Sequence, residues 1–183
     1  FDEVRRFSRL FKSTITEIAP VMQDRGVDEV YIDFTDVPGG QREGGRVLAR
    51  LIQKAIFDAT GLTCSIGVAP NKLLAKMASE FNKPNGIAIV HEQDLQSMIW
   101  PLACRKINGI GPKADARLQG HGIHTIGELA QKDEQWLIDH FGHRADSIDG
   151  SHSLPRRPDI APALEILARE IDFPFGQLVG ILP

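Results

Sequence analysis

Asp28 and Glu29 stand side by side at the head of "VDEVYID" (27–33). Hard carboxylate oxygens are the donors Mg²⁺ takes, so a pair at one strand end suits part of a divalent-cation site. Neighbours on a regular strand point to opposite faces, and convergence needs a bulge or turn, which Gly26 just upstream permits. Read alone, the pair is most simply a solvated strand end, because acidic residues are mostly exposed. A second candidate is Lys83, which Pro84, Asn85 and Gly86 hold in a tight turn. A lysine fixed in this way meets a triphosphate as a point charge. Lys72 and Lys76, one helical turn apart, read as a solvated helix face.

The third candidate is "INGIGPKADARL" (107–118), in which Gly109, Ile110 and Gly111 lead into a helix. Glycines there let the backbone turn tightly and leave amide N–H groups free at the helix start, an anion site suited to a DNA phosphate. Lys113 adds one positive charge. A purely structural helical hairpin with a glycine turn is the alternative, and Asp115 stands where such hairpins commonly carry a small apolar residue. In "GIHTIGELA" (122–130) Thr125 caps a further helix and Glu128 completes a capping box.

The elements that must position these groups follow from periodicity. Val4, Phe7, Leu10, Phe11, Ile15 and Ile18 recur at helical spacing over 2–18, and Pro20 ends that run. Val30, Ile32 and Phe34 alternate with Tyr31 and Asp33, the pattern of a half-buried strand. "VPGGQREGG" (37–45) fits no phosphate-loop spacing and reads as a connection. A helix over 46–59 stops at Gly61, a strand follows in "LTCSIGVAP" with Gly67 inside it, and Asn71 caps "KLLAKMASEF". "IAIV" (87–90) is a short buried strand. From His91 onward no strand pattern appears, and helices are expected at 92–99, 112–119, 125–131 and 133–140. The order predicts an α/β layer up to 91 and a small all-α part after it. Five of the eleven prolines fall between 155 and 183, where only "APALEILARE" (161–170) suggests a helix.

Composition bounds these readings. A hydrophobic share of 42 % and a charged share of 25 % over 183 residues are those of a globular protein with a real core. No apolar run approaches bilayer length, and nothing at Phe1 reads as a signal peptide; a start without Met points to a fragment or a processed product. Cys64 and Cys104 lie far apart, as in a cytosolic protein with reduced thiols, and the six histidines form no zinc spacing. A net charge of −3 with a pI near 6.1 is no basic nucleic-acid footprint, so any such role rests on local sites.

Taken together and in this order, "VDEVYIDFTDV", "GLTCSIGVAPNKLLAKMASEFNKPNG" and "INGIGPKADARLQGHGIHTIGELA" resemble the palm and thumb of Y-family DNA polymerases, the translesion enzymes, most of all their bacterial DNA polymerase IV branch. The resemblance covers roughly residues 1–142. It implies an α+β or α/β fold: a partial palm over 1–91 (a mixed sheet with helices on one face), a helical thumb with a helix–hairpin–helix over 92–142, and an atypical tail over 143–183. It implies that Asp28 and Glu29 are catalytic and metal-binding, that Lys83 contacts the incoming nucleotide, and that Gly109, Ile110, Gly111 and Lys113 bind DNA. Tyr31 and Asp33 then have structural roles. The implied cofactor is Mg²⁺, two ions about 4 Å apart that activate a primer 3′-hydroxyl and stabilise departing pyrophosphate. The implied partners are primer–template DNA, a dNTP and, in the full-length protein, a sliding clamp, in the cytoplasm and without a membrane.

Three departures qualify these expectations. The family's first metal-binding aspartate lies on an N-terminal strand that this sequence lacks, and the fingers are also missing, so this chain alone is expected not to extend a primer. The resemblance fades around His143, as a frameshifted or truncated reading frame would produce. A non-catalytic DNA-binding accessory protein and a gene remnant are the competing readings.

Overall fold

The computed structural model describes residues 2–40, 42–141 and 178–182. The chain divides into two units, one running to Gln93 and joined by the strand at 178–182, the other beginning at Asp94. In the first unit α1 (Asp2–Ile18) turns its apolar stripe inward and buries Phe11 and Ile15. A hairpin of β1 (Met22–Asp24) and β2 (Val30–Asp33) follows, antiparallel with Met22 opposite Ile32. α2 (Arg46–Thr60) ends at Gly61, whose left-handed conformation returns its N–H to the Phe57 carbonyl. β3 (Ser65–Ala69) leads into α3 (Lys72–Ser79), where the Asn71 side chain accepts from the Leu74 N–H as an N-cap. β4 (Ile87–Ile89) then pairs parallel to β3.

The sheet closes with β5 (Leu178–Leu182) in its middle, giving the order β1-β2-β5-β3-β4. β5 runs antiparallel to both neighbours, with Gly180 opposite Tyr31 on one side and Gly67 on the other. Sequence alone placed all of 143–183 in a tail apart from the palm. Its last strand instead joins the two halves of the sheet, since β2 and β3 pair with β5 and not with each other. "LVGIL" is a short apolar run after a proline-rich stretch, and its own pattern gives no sign of the sheet it joins. β1 is three residues long and half polar, so it shows no strand pattern of its own. The helix expected at 161–170 lies outside the described residues.

The two sheet faces are covered differently. Val30, Ile32, Ile66 and Val68 pack with Phe11, Ile15, Ile52 and Ile56, so α1 and α2 share one face. Gly67 points the other way: a β-carbon there would lie 2.0 Å from the Ala75 carbonyl oxygen and 2.4 Å from the Ser79 nitrogen. α3 therefore rests backbone to backbone on β3 from the opposite side. Helices on one face only, as expected from sequence, is thus corrected: alternation along β3 sends Ile66 and Val68 one way and Gly67 the other.

The second unit is helical. The expected helix at 92–99 resolves into a 3₁₀ turn, Glu92–Asp94, and a single π turn, Leu95–Ile99. α4 (Pro112–Gly120), α5 (Ile126–Ala130) and α6 (Glu134–Phe141) follow. Ile99, Ile107, Leu118, Ile123, Ile126 and Leu129 are fully buried and form the centre of this small unit.

Gly67 offers a direct test of the packing. Gly67→Val is expected to cost at least about 3 kcal/mol, because the clash is with backbone that cannot rotate away. The urea midpoint of the full chain measures it; a variant as stable as the parent would mean that α3 stands off the strand.

Candidate functional site

Asp28 and Glu29 lie in the turn between β1 and β2, closed by the Arg25 N–H donating to the Glu29 carbonyl at 3.0 Å. Gly26 adopts φ 140°, a conformation L side chains rarely take. Lys12 of α1 pins this turn: its ammonium donates to both Asp24 oxygens at 2.8 and 2.9 Å and also to the Gly26 carbonyl. The Lys12 contact, reinforced by the Gly26 N–H, holds the Asp24 carboxyl below its usual range. Sequence reasoning passed over both Lys12 and Asp24, which are far apart along the chain.

The turn sends the two carboxylates to different surroundings. Glu29 is half-buried and accepts from the Lys76 ammonium of α3 at 3.2 Å. Burial, followed by the neighbouring Glu29 charge, pushes the Tyr31 phenol up to about 12. Asp28 is exposed and borders an apolar cavity of about 260 Å³ lined by Val4, Phe7, Phe11, Val27 and Leu62 among others. Asp33 caps the other end of β2, accepting from the Thr35 N–H at 2.8 Å and its hydroxyl at 2.5 Å. Among the described residues no group of three His, Cys, Asp or Glu could hold a metal ion. Two carboxylates, one already engaged by Lys76, do not make up such a site by themselves.

The lysine turn is firmly built. Asn82 donates to the Ile87 carbonyl at 3.0 Å, and Gln53 of α2 donates to the carbonyls of Cys64 and Asn85 at 2.9 and 3.1 Å. The Lys83–Pro84 bond is cis, and Gly86 passes so close to Asn82 that a β-carbon would lie 1.9 Å from its carbonyl oxygen. Lys83 itself pairs with Glu80 at 3.0 Å. The same Glu80 oxygen is 3.9 Å from Lys76, so Lys83, Glu80, Lys76 and Glu29 form one chain of alternating charge. Sequence reasoning set Lys76 aside as solvated. Its signal was available in the helical spacing of Lys76, Glu80 and Lys83.

In the second unit the hairpin is anchored from below. Ile107 and Ile110 are buried and linked by an Ile110 N–H···O=C Ile107 bond of 3.0 Å, while Gly109 takes φ 103° between them. Gly111, the N-cap of α4, has an ordinary φ of −79° and open space where a β-carbon would go. No side chain caps this helix and Pro112 opens it, so its first-turn N–H groups have no side-chain cap. Lys113 is exposed beside them. Asp115 is buried and satisfied by Gln119 at 2.9 Å, which explains how a carboxylate occupies an apolar position.

Comparison with known proteins accords with this geometry. The family model described as impB/mucB/samB matches residues 1–80, and the IMS family HHH motif matches 92–123, which contains the hairpin. DNA polymerase IV 1 of Bacillus subtilis is 37 % identical over 165 residues, taking in 87 % of this chain and 39 % of its own. DNA polymerase IV of Oceanobacillus iheyensis is 36 % identical over 156 residues, 81 % of this chain and 37 % of its own. Among solved structures, DinB from Sulfolobus solfataricus superposes with a TM-score of 0.74 at 26 % identity, over 95 % of this chain and 47 % of its own. The chain belongs to the Y family of DNA polymerases. It spans about two-fifths of the curated relatives' length. The Bacillus subtilis alignment is longer than residues 1–142 can supply, so similarity extends further along the chain than the motifs alone indicated.

The hairpin of this Y-family thumb is held in place by the cap of α5. Thr125 accepts from the Glu128 N–H at 3.2 Å, and the Glu128 carboxylate accepts from the N–H groups of His124 and Thr125 at 2.7 and 2.9 Å. Those two donors hold the Glu128 carboxyl below its usual range. A carboxyl lowered in the folded state adds stability above its unfolded pKa and loses it as pH falls through the folded value. Thr125→Ala is expected to cost about 1 kcal/mol at neutral pH. Glu128→Gln is expected to approach the parent's stability as pH falls from about 6 to about 3. Urea unfolding across that range checks both; a gap for Glu128→Gln that stays constant with pH would refute the cap's ionic part.

Proposed function

We propose that the chain is the palm-and-thumb portion of a translesion DNA polymerase, in which the thumb hairpin grips the backbone of primer–template DNA. The observation that carries this reading is the hairpin itself: an uncapped α4 start, with Gly111 exposed and Lys113 beside it, on a chain whose net charge is −3. Oriented amides bind phosphate without net positive charge, which removes the objection raised by the acidic pI. Lys83, fixed in its turn, meets the triphosphate of an incoming dNTP. Asp28 and Glu29 contribute carboxylates toward Mg²⁺, two ions in the complete enzyme, at a site that needs groups beyond the described residues. The chemistry is template-directed nucleotidyl transfer past damaged DNA, carried out in the cytoplasm.

Gly111 and Lys113 allow a test that separates fold from function. Gly111→Ala, at an ordinary φ and in open space, is expected to cost at most about 1 kcal/mol of stability as a poorer N-cap and to weaken duplex DNA binding roughly tenfold, the worth of one hydrogen bond to a charged group that the added β-carbon keeps a phosphate from making. Lys113→Gln is expected to lower the slope of log affinity against log salt by about one, equally for all duplex sequences. Fluorescence anisotropy with a labelled duplex measures both, and affinities and slopes matching the parent would defeat the assignment. In primer extension with Mg²⁺ this chain alone is expected to add no nucleotide; clear addition would show that Asp28 and Glu29 suffice.

A further inference from the structure

The charge chain across α3 ends in two very different environments. Glu29 and Lys76 retain only 18 % and 19 % of their side-chain exposure, whereas Glu80 and Lys83 retain 48 % and 36 %. Lys76 therefore belongs to the scaffold: held by Glu29, it stands at the foot of the exposed pair. Glu80 is the loosely held member, since an ion pair this open to water contributes little and its carboxylate is readily exchanged for another anion. One Glu80 oxygen, Oε1, lies 3.0 Å from the Lys83 ammonium and 3.9 Å from that of Lys76. That oxygen marks where an anionic oxygen is shared by two lysines.

We propose that Glu80 is a built-in anion that occupies the Lys76–Lys83 pair until a polyphosphate displaces it. The inference rests on the reading of Lys83 as a triphosphate contact and adds two residues to it. Lys76 becomes a second point of phosphate contact, positioned by Glu29, and Glu80 becomes an internal competitor that sets the threshold for binding. The geometry also orders the exchange. Glu80 is the C-cap of α3, its backbone N–H held by the Met77 carbonyl at 3.1 Å, so its side chain turns away while the backbone stays in place. Lys76 stays tethered by Glu29 when it leaves. The site then carries two ammonium groups, whose mutual repulsion an arriving phosphate relieves.

Isothermal titration of the full chain with inorganic tripolyphosphate, without divalent metal, tests this. Glu80→Gln is expected to tighten binding about threefold, the scale of an exposed ion pair, with an unchanged melting temperature. Lys83→Gln and Lys76→Met are each expected to weaken it, and Glu80→Gln is expected to give no gain in a Lys83→Gln background, because the competition needs both partners. If Lys83→Gln weakens binding while Glu80→Gln leaves it unchanged, the competitor role fails and the triphosphate reading of Lys83 stands. Binding unaffected by Lys83→Gln, or no binding by parent and Glu80→Gln alike, would overturn both.

Discussion

The close approach of α3 to β3 at Gly67 sets where Lys76, Glu80 and Lys83 stand in the first unit. With no side chain between them, the helix lies against the strand closely enough for Lys76 to reach across and meet Glu29 in the β1–β2 turn. The same contact sets where α3 ends, and with it the position of Glu80 and of the turn that presents Lys83. A larger residue at 67 would lift the helix and separate the Lys76–Glu29 pair, leaving two partly buried charges without partners. Breaking such a pair from one side is more damaging than the pair is stabilising, because the remaining charge has already lost much of its water.

The strand that lets this arrangement exist comes from the far end of the chain. β5 supplies hydrogen-bond partners to β2 and β3 at once, so the hairpin bearing Asp28 and Glu29 and the strand bearing Gly67 belong to one sheet only through it. A central strand leaves neither neighbour with an open edge, the condition under which sheets pair wrongly. The lever of the site and the frame of the site are thus supplied by segments more than a hundred residues apart.

That separation explains what sequence reasoning reached and what it missed. α1, α2 and the Asn71 and Thr125 caps are written in spacing and side-chain chemistry over a few residues, and they stand where those signals put them. The hairpin was legible for the same reason: its glycines mark a tight turn locally, and Gly109 takes a φ of 103° there. β1 and β5 were not: β1 is short and half polar, and β5 follows a proline-rich stretch whose own pattern gives no sign of the sheet it joins. The role of Lys76 also went unread. Helical spacing brings Glu80 and Lys83 to it, but only the tertiary fold brings Glu29. Likewise, adjacency in sequence put Asp28 and Glu29 together, while the turn gave one to an apolar cavity and the other to α3.

On the proposed reading, the two units hold an anion in different ways on an acidic chain. In the thumb the charge complement is the backbone itself: amides at the start of α4, with one exposed lysine beside them, in a position where no carboxylate is paired to Lys113 among the described residues. No side chain caps α4, in contrast to α3 and α5, whose first turns are met by Asn71 and by Thr125. In the palm the complement is a lysine pair, and a lysine pair attracts the protein's own carboxylates. Glu29 and Glu80 both answer that attraction, one firmly and one loosely. A binding site made of backbone suits a continuous grip on a long polyanion. One made of side chains with an internal competitor suits a ligand that must arrive, be held and leave, because the competitor is present at each departure to take its place.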